Sequence, residues 1–330
     1  MKAAIITRPG GPEVIEIREM PDPVPADNEV LVRVRSSALN RADIFQREGR
    51  YPAPPGAPAD IPGLEVAGEV VALGAAARRW RIGARVFGIV GGGGHAELLA
   101  AHEDALCEIP SSLRLEDAGA VPEAFITAHD ALVTQAGLVS GETLLVHAVA
   151  SGVGLAAVQL ARAIGAVSFG TSRSPGKLDA AKVHGMAQGI SVTGGPEEVP
   201  QWIREITAGR GVDVVLDLLG GPYARAGAEA LALRGRLMLV GSLAGGDLAL
   251  PLGLVMRNRL TIRGTVLRSR PLTERIAVTA AFAREVAPLL ARGVVSPVID
   301  SRFPLHRIGD AHRHLQGNET LGKVVIDVTS

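Results

Sequence analysis

The chain is poor in cysteine, in net charge and in long apolar runs. Cys107 is the one cysteine among 330 residues. A lone thiol closes no intramolecular disulfide and builds no cysteine-rich zinc cage, so Cys107 reads as a small packing residue. Net charge of either sign is missing: Lys and Arg number 34, as do Asp and Glu. That balance gives no sign of nucleic-acid or anionic-membrane binding, although it is compatible with a local basic patch. No stretch nears the ~20 apolar residues of a membrane span. The opening Met1-Lys2-Ala3-Ala4-Ile5-Ile6-Thr7 reaches Arg8 and Pro9 before an apolar signal core can form, which makes the cytoplasm the expected location. A Ser/His/Asp array and a paired-carboxylate arrangement are also lacking.

What is present divides into two textures, and at roughly 100–200 residues per domain two domains are expected. The first third reads as short strands and turns. Glu29 to Ser37 alternates around Val30, Val32 and Val34 as a half-buried strand does. Val66 to Leu73 and Arg85 to Val90 are further strand candidates. Tyr51-Pro52-Ala53-Pro54-Pro55-Gly56 and Gly91-Gly92-Gly93-Gly94 read as irregular connections, because Pro fixes φ and Gly permits positive φ. This portion reads as a β-rich barrel or partial barrel. From Ala124 the pattern changes. Ala124 to Ala136 is helix-like, Thr143 to His147 a buried strand, Gly154 to Gly165 a helix, Ala166 to Thr171 a strand and Lys177 to Gly185 a helix. Val212 to Leu216 and Arg236 to Val240 read as strands with a helix, Ala226 to Leu233, between them. Such alternation specifies βαβ units in a doubly wound parallel sheet, an α/β fold. One long helix is expected over Thr273 to Ala291. A last strand, Gly322 to Asp327, is placed to return to the first domain. The expected boundaries are 1–123 with 266–330 for a discontinuous first domain and 124–265 for the parallel-sheet domain.

The turn after Thr143–His147 reads Ala148-Val149-Ala150-Ser151-Gly152-Val153-Gly154. A helix N-terminus behind a buried strand offers unpaired N–H groups to a pyrophosphate, and small residues let the backbone approach it. The strict G-x-G-x-x-G fingerprint is absent, since Val149 and Ser151 occupy its first two glycine positions. The strand before and the helix after still indicate dinucleotide binding, with Ser151, Gly152 and Val153 at the phosphates. The next strand ends in Gly170-Thr171-Ser172-Arg173-Ser174-Pro175-Gly176-Lys177. No acid stands there to bond a ribose 2′-hydroxyl. Ser172, Arg173 and Lys177 are available to a 2′-phosphate, so NADPH is the expected cofactor, unless the two cations are ordinary solvated charges.

The stretch Ala38-Leu39-Asn40-Arg41-Ala42-Asp43-Ile44-Phe45-Gln46-Arg47-Glu48-Gly49-Arg50-Tyr51-Pro52 resembles the quinone oxidoreductase branch of the medium-chain dehydrogenase/reductase superfamily. So do Gly63-Leu64-Glu65-Val66-Ala67-Gly68-Glu69-Val70, Ser151-Gly152-Val153-Gly154-Leu155, Leu216-Asp217-Leu218-Leu219-Gly220-Gly221, Leu267-Arg268-Ser269-Arg270 and Gly322-Lys323-Val324-Val325. The p53-inducible type within that branch shares the Asn-Arg-Ala-Asp motif and the Ser of the phosphate turn. The resemblance implies a GroES-like first domain, a Rossmann-type second domain, an active site in the cleft and a homodimer. Leu260 to Leu267 is the segment that would pair between subunits, as an uncovered strand invites.

Zinc-dependent relatives hold their metal on Cys, His and Cys or Glu. At the matching positions this chain has Asn40, Leu64 and Glu123, and it lacks the cysteine-rich structural lobe. One possible ligand in three does not hold a catalytic zinc. His95 and His147 show no ligand spacing with one another, and His147 reads as packed. The expected chemistry is therefore hydride transfer from NADPH to an acceptor already electrophilic, a quinone or activated enone, with the resulting anion protonated by water. Catalysis is then positioning and exclusion of solvent.

The likeness puts Asn40, Asp43, Phe45 and Tyr51 around the reacting centre, with the Gly91–His95 loop on its rim. Asn40 would bond a quinone oxygen or the nicotinamide ribose, or else cap local backbone. Phe45 would wall the pocket. Tyr51 would orient the acceptor, donate a proton or serve structure alone. Gly241, Ser242 and Leu243 would flank the nicotinamide, with Arg268 and Lys323 closing over it. Val192 stands where some relatives place a Tyr beside the adenine. Two other readings compete. A 2-enoyl thioester or activated-alkene reductase would use Tyr51, and Arg41, Arg47 and Arg50 would form a basic mouth for an acyl carrier. A cofactor-sensing or RNA-binding protein draws no support from the neutral charge balance.

Overall fold

Glu29–Leu39 explains much of the first unit. Val30, Val32 and Val34 are fully buried on one face, and from Ser36 to Leu39 both faces are covered. The strand therefore takes neighbours on both edges. In the computed structural model, which describes residues 1–328, it pairs antiparallel with Glu65–Leu73, with Leu98–His102 and with Lys323–Asp327. Arg85–Ile89 and Cys107–Glu108 extend the sheet on one side, and Ile299–Pro304 on the other. Lys2–Ile6 and Ile15–Glu19 form a separate hairpin. The chain divides into two compact units, 1–126 with 267–328 and Thr127–Val266. The last two residues of the domain range expected from sequence, Thr329 and Ser330, lie outside the described residues.

The second unit carries six parallel strands. Their spatial order is Gln188–Ser191, Val167–Ser172, Thr143–Val146, Val212–Asp217, Leu231–Leu239, Thr261–Gly264. In sequence order that is 3-2-1-4-5-6, the doubly wound arrangement, whose order reverses beside Thr143–Val146. Helices Gly152–Ile164, Pro175–Val183, Val199–Ile206 and Gly221–Ala230 connect the strands. Leu144, Leu145, Val146, Val214, Val215 and Leu216 are fully buried, as strands covered on both faces should be.

Three expected elements differ. The helix expected over Ala226–Leu233 runs Gly221–Ala230, and Leu231 already belongs to the strand Leu231–Leu239. Leu231 and Ala232 are buried, and Leu231 is in register with Val212, so sheet pairing overrides helix preference. The helix expected over Thr273–Ala291 breaks into Leu272–Glu285 and Ala287–Ala291. Pro288 has no N–H to continue the ladder, and its ring opposes the carbonyl one turn back. The segment near Ala124 opens with a π-helical turn, Pro122–Ile126, which includes Glu123.

Candidate functional site

Five charged side chains and one amide meet inside the first unit. Glu65 begins the strand Glu65–Leu73 and is fully buried. Its carboxylate accepts from Lys323 Nζ at 2.7 Å, Asn40 Nδ2 at 2.9 Å and the Glu123 backbone N–H at 2.8 Å. Lys323 arrives through register: Val324 faces Leu39, which sets Lys323 beside Asn40. Its ammonium also donates to Asn40 Oδ1 at 2.6 Å and to the Leu39 carbonyl at 3.0 Å. The Asn40 amide is thereby oriented on both atoms. Its backbone N–H donates to Asp43 Oδ2 at 2.8 Å, so Asp43 supports the start of the helix Arg41–Arg47.

The other Asp43 oxygen accepts from the Gly63 N–H at 2.9 Å, and the residue is fully buried. Burial raises its pKa to about 6, with the two backbone bonds and the charges of Arg268 and Lys323 opposing. Gly63 has φ +103°, and a Cβ there would lie 2.5 Å from the His95 nitrogen. In the loop expected on the rim, Gly92, Gly93, Gly94 and His95 are buried against Ile61–Gly63, and Gly91 is partly exposed. Burial lowers the His95 pKa to about 4, which keeps the ring neutral.

Arg268 is 4% exposed. It donates to Gly91 O at 2.8 Å and Gln46 Oε1 at 2.6 Å, and its guanidinium lies 5.1 Å from the Tyr51 ring centroid. The two cations expected to close over a cofactor are thus committed within this unit: Arg268 ties together the loops at Gly91 and Tyr51, and Lys323 holds Glu65 and Asn40. Asp43, expected at the reacting centre, is likewise spent on backbone. Tyr51 is half-buried, with its phenol pKa raised by burial. Phe45 is partly exposed, with Arg50 stacked 4.4 Å from its centroid.

The basic mouth loses one member. Arg47 is 1% exposed and donates to the Gly10 carbonyl at 2.9 Å, with His312 Nδ1 3.1 Å from its Nη1. Position four residues before Tyr51 gave no sign of this, because the apolar helix face it joins is set by Ile308–Gln316 from the far end of the chain.

In the second unit Ser151 caps the helix Gly152–Ile164, its Oγ accepting from the Gly154 N–H at 3.1 Å. A Cβ on Gly154 would lie 2.5 Å from the Val149 carbonyl, so that position admits only glycine. Ser151, Gly152 and Val153 are partly exposed at the helix start, where N–H groups have no intrahelical acceptor. The turn fits a dinucleotide pyrophosphate. Ser172 ends its strand and its Oγ accepts from the Ser174 N–H at 3.2 Å; Arg173 is exposed and Lys177 partly exposed. Gly241, Ser242 and Leu243 follow Leu231–Leu239 at the carboxyl end of the same parallel sheet, with Leu243 44% exposed. Val192 is packed in the core.

His147 is fully buried, with Nδ1 3.1 Å from Thr171 Oγ1 and the Tyr223 ring edge-on at 5.4 Å. Burial lowers its pKa to about 4. Asp217, also buried, accepts from the Leu219 and Gly220 N–H groups, and burial raises its pKa to about 6. Sequence reasoning missed Tyr223, which feels the charge of Arg173. It also passed over Glu65 as a central acceptor. The signal was there: Glu65, Asn40 and Lys323 each sit at an end of a strand in the resemblance motifs. Among the described residues no group of three or more His, Cys, Asp or Glu side chains is placed to hold a metal ion, and no helix is long and apolar enough to cross a membrane.

Residues 26–135 match the alcohol dehydrogenase GroES-like domain family, and residues 152–284 match the zinc-binding dehydrogenase family. A quinone oxidoreductase of Pseudomonas aeruginosa is 35% identical over 96% of this chain and 96% of its own length. Two solved structures share the fold. The Escherichia coli quinone oxidoreductase complexed with NADPH has a TM-score of 0.88 at 27% identity, over 99% of this chain and 100% of that one. An NAD-dependent alcohol dehydrogenase has a TM-score of 0.86 at 30% identity, over 99% and 100%. The chain belongs to the medium-chain dehydrogenase/reductase superfamily. Within it, the similarity supports an oxidoreductase of the quinone oxidoreductase type.

Proposed function

We propose that the chain is an NADPH-dependent reductase of quinones or similar conjugated carbonyls that works without zinc. Residues 124–265 are assigned to the cofactor and residues 1–123 with 266–330 to the acceptor. The observation that carries this reading is the Lys323 ammonium, 2.6 Å from Asn40 Oδ1 and 2.7 Å from Glu65 Oε1. A fixed cation already occupies the surroundings of Asn40, and an amide engaged on both atoms is no zinc ligand. The stretch matching the zinc-binding dehydrogenase family itself holds no cysteine and a single histidine, His184.

When bound, the reduced nicotinamide supplies a hydride. The chain's own contribution is to hold the pyrophosphate at Ser151, Gly152 and Val153, to meet the 2′-phosphate with Ser172, Arg173 and Lys177, and to flank the ring with Gly241, Ser242 and Leu243. Phe45 and Tyr51 line the acceptor side. Asn40, Asp43, Arg268 and Lys323 fix the loops that present them. Support for a 2′-phosphate comes from the exposed Arg173 and the lack of an acid after Val167–Ser172. A homodimer in the cytoplasm is the accompanying expectation.

Steady-state assays with 9,10-phenanthrenequinone and crotonyl-CoA, each with NADPH and NADH, test the reading. Turnover of the quinone with NADPH preferred is expected. Turnover of crotonyl-CoA alone, an NADH preference, or stoichiometric zinc in the purified protein would overturn it.

A further inference from the structure

We propose that the Glu123 carboxyl is the proton donor to the reduced acceptor, a role that rests on the reductase reading above. Asn40, Asp43, Glu65, Lys323 and Arg268 are all committed to one another or to backbone. Glu123 differs. Its backbone N–H is pinned to Glu65 Oε2 at 2.8 Å, while its own Oε2 is buried with no hydrogen-bond partner. The residue as a whole remains partly exposed, while its Oε2 is buried. A buried carboxylate oxygen without a donor is costly, whereas a protonated carboxyl is neutral and loses far less on leaving water.

The local fold serves that placement. Pro122–Ile126 is a π-helical turn, a form found in single turns and often at functional sites. Within it Glu123 is partly exposed, whereas Ala124, Phe125 and Ile126 are buried. Every charged neighbour is known. Glu65 faces it from the strand Glu65–Leu73, Lys323 from Lys323–Asp327, Asp43 from Arg41–Arg47, and Arg268 from the segment after Leu267. Tyr51 is close enough for Glu123 to disfavour its tyrosinate. Burial first, then Glu65 and Asp43, raise the Glu123 pKa to about 7 against the pull of Lys323 and Arg268. An acid of that strength holds its proton near neutrality and can still release it. The neutral Tyr51 phenol is left to orient the acceptor.

The step balances. Hydride from the reduced nicotinamide adds two electrons and one hydrogen to the quinone, giving a hydroquinone monoanion and the oxidised cofactor. The Glu123 O–H bond breaks, its proton passes to the anionic oxygen, and the neutral hydroquinone departs. Water then returns a proton to the carboxylate.

Glu123→Gln tests the assignment with two readouts. In the cofactor-free protein, infrared titration should show a protonated carboxyl that ionises near pH 7 and is missing from E123Q. In turnover of phenanthrenequinone, wild-type kcat should hold level at low pH and fall above that midpoint. E123Q should lose the fall and run about 100-fold slower, the lower end of general-acid effects, with NADPH binding by fluorescence unchanged. Should E123Q fail to fold, Glu123→Asp keeps the charge and shortens the reach, and a lowered kcat with intact NADPH binding is expected. Unaltered kcat and pH profile in an otherwise active, folded variant would overturn this inference alone, as would a titration unchanged by E123Q. A wild type inert toward quinones would overturn the function and this inference together.

Discussion

Lys323 Nζ lies 2.7 Å from Glu65 Oε1, with the two side chains 6% and 0% exposed. A buried pair of this kind adds little net stability against an apolar replacement of both partners, but breaking it strands a charge in the interior. Lys323→Met should cost about 3–5 kcal/mol, read as a lower urea midpoint. The double variant Lys323→Met with Glu65→Gln should recover part of that loss. Equal loss in the single and double variants would show that the pair does not act as a unit.

Glu123 bears on stability in a pH-dependent way. Its folded pKa is about 7, above the ordinary glutamate value of 4.5. Between those values the folded state binds the proton more tightly, so folding is favoured there relative to higher pH. Above both, the carboxylate is charged in both states and its burial cost is fully present. Glu123→Gln should therefore gain thermal stability over wild type at pH 8 and lose that advantage by pH 5. A constant difference in melting temperature across that range would contradict the assignment.

Arg173 is exposed just past the strand Val167–Ser172. A hydrogen bond to a charged group is worth about 1.5–3 kcal/mol. Arg173→Ala should raise KM for NADPH roughly 10- to 100-fold on that basis, with KM for NADH unmoved. Equal effects on both cofactors would remove Arg173 from 2′-phosphate recognition.

Tyr51 is half-buried beneath Arg268. With Glu123 as the acid, Tyr51→Phe should lower quinone kcat by less than about tenfold, below the range of general-acid catalysis. A loss of several orders of magnitude would return the proton to the phenol.

Much of the second unit was legible because its strands are continuous apolar runs and its connections carry helix-period patterns. Thr143–Val146 and Gly152–Ile164 follow from that local texture. The errors lie where distant chain decides. Leu231 leaves the helix because Val212 offers it a strand partner. Arg47 looks like a surface cation until the helix Ile308–Gln316 supplies His312. The candidate site residues divide in the same way. Ser151 and Gly154 announce themselves through turn chemistry. Asn40, Asp43 and Lys323 were named from resemblance motifs, but their internal commitments depend on a register between residues near opposite ends of the sequence. Glu123 was visible only as an isolated ligand candidate, and nothing in the sequence around it reveals an unbonded carboxyl oxygen.

The return of Lys323–Asp327 to the edge of Glu29–Leu39 also sets an order of events during synthesis. The parallel sheet is complete once Gly264 has been made, whereas Glu65 and Asn40 wait for the ammonium of Lys323, which follows much later in the chain. A nascent chain that stops before Lys323 thus has its parallel sheet intact and the buried cluster of its first unit unfinished.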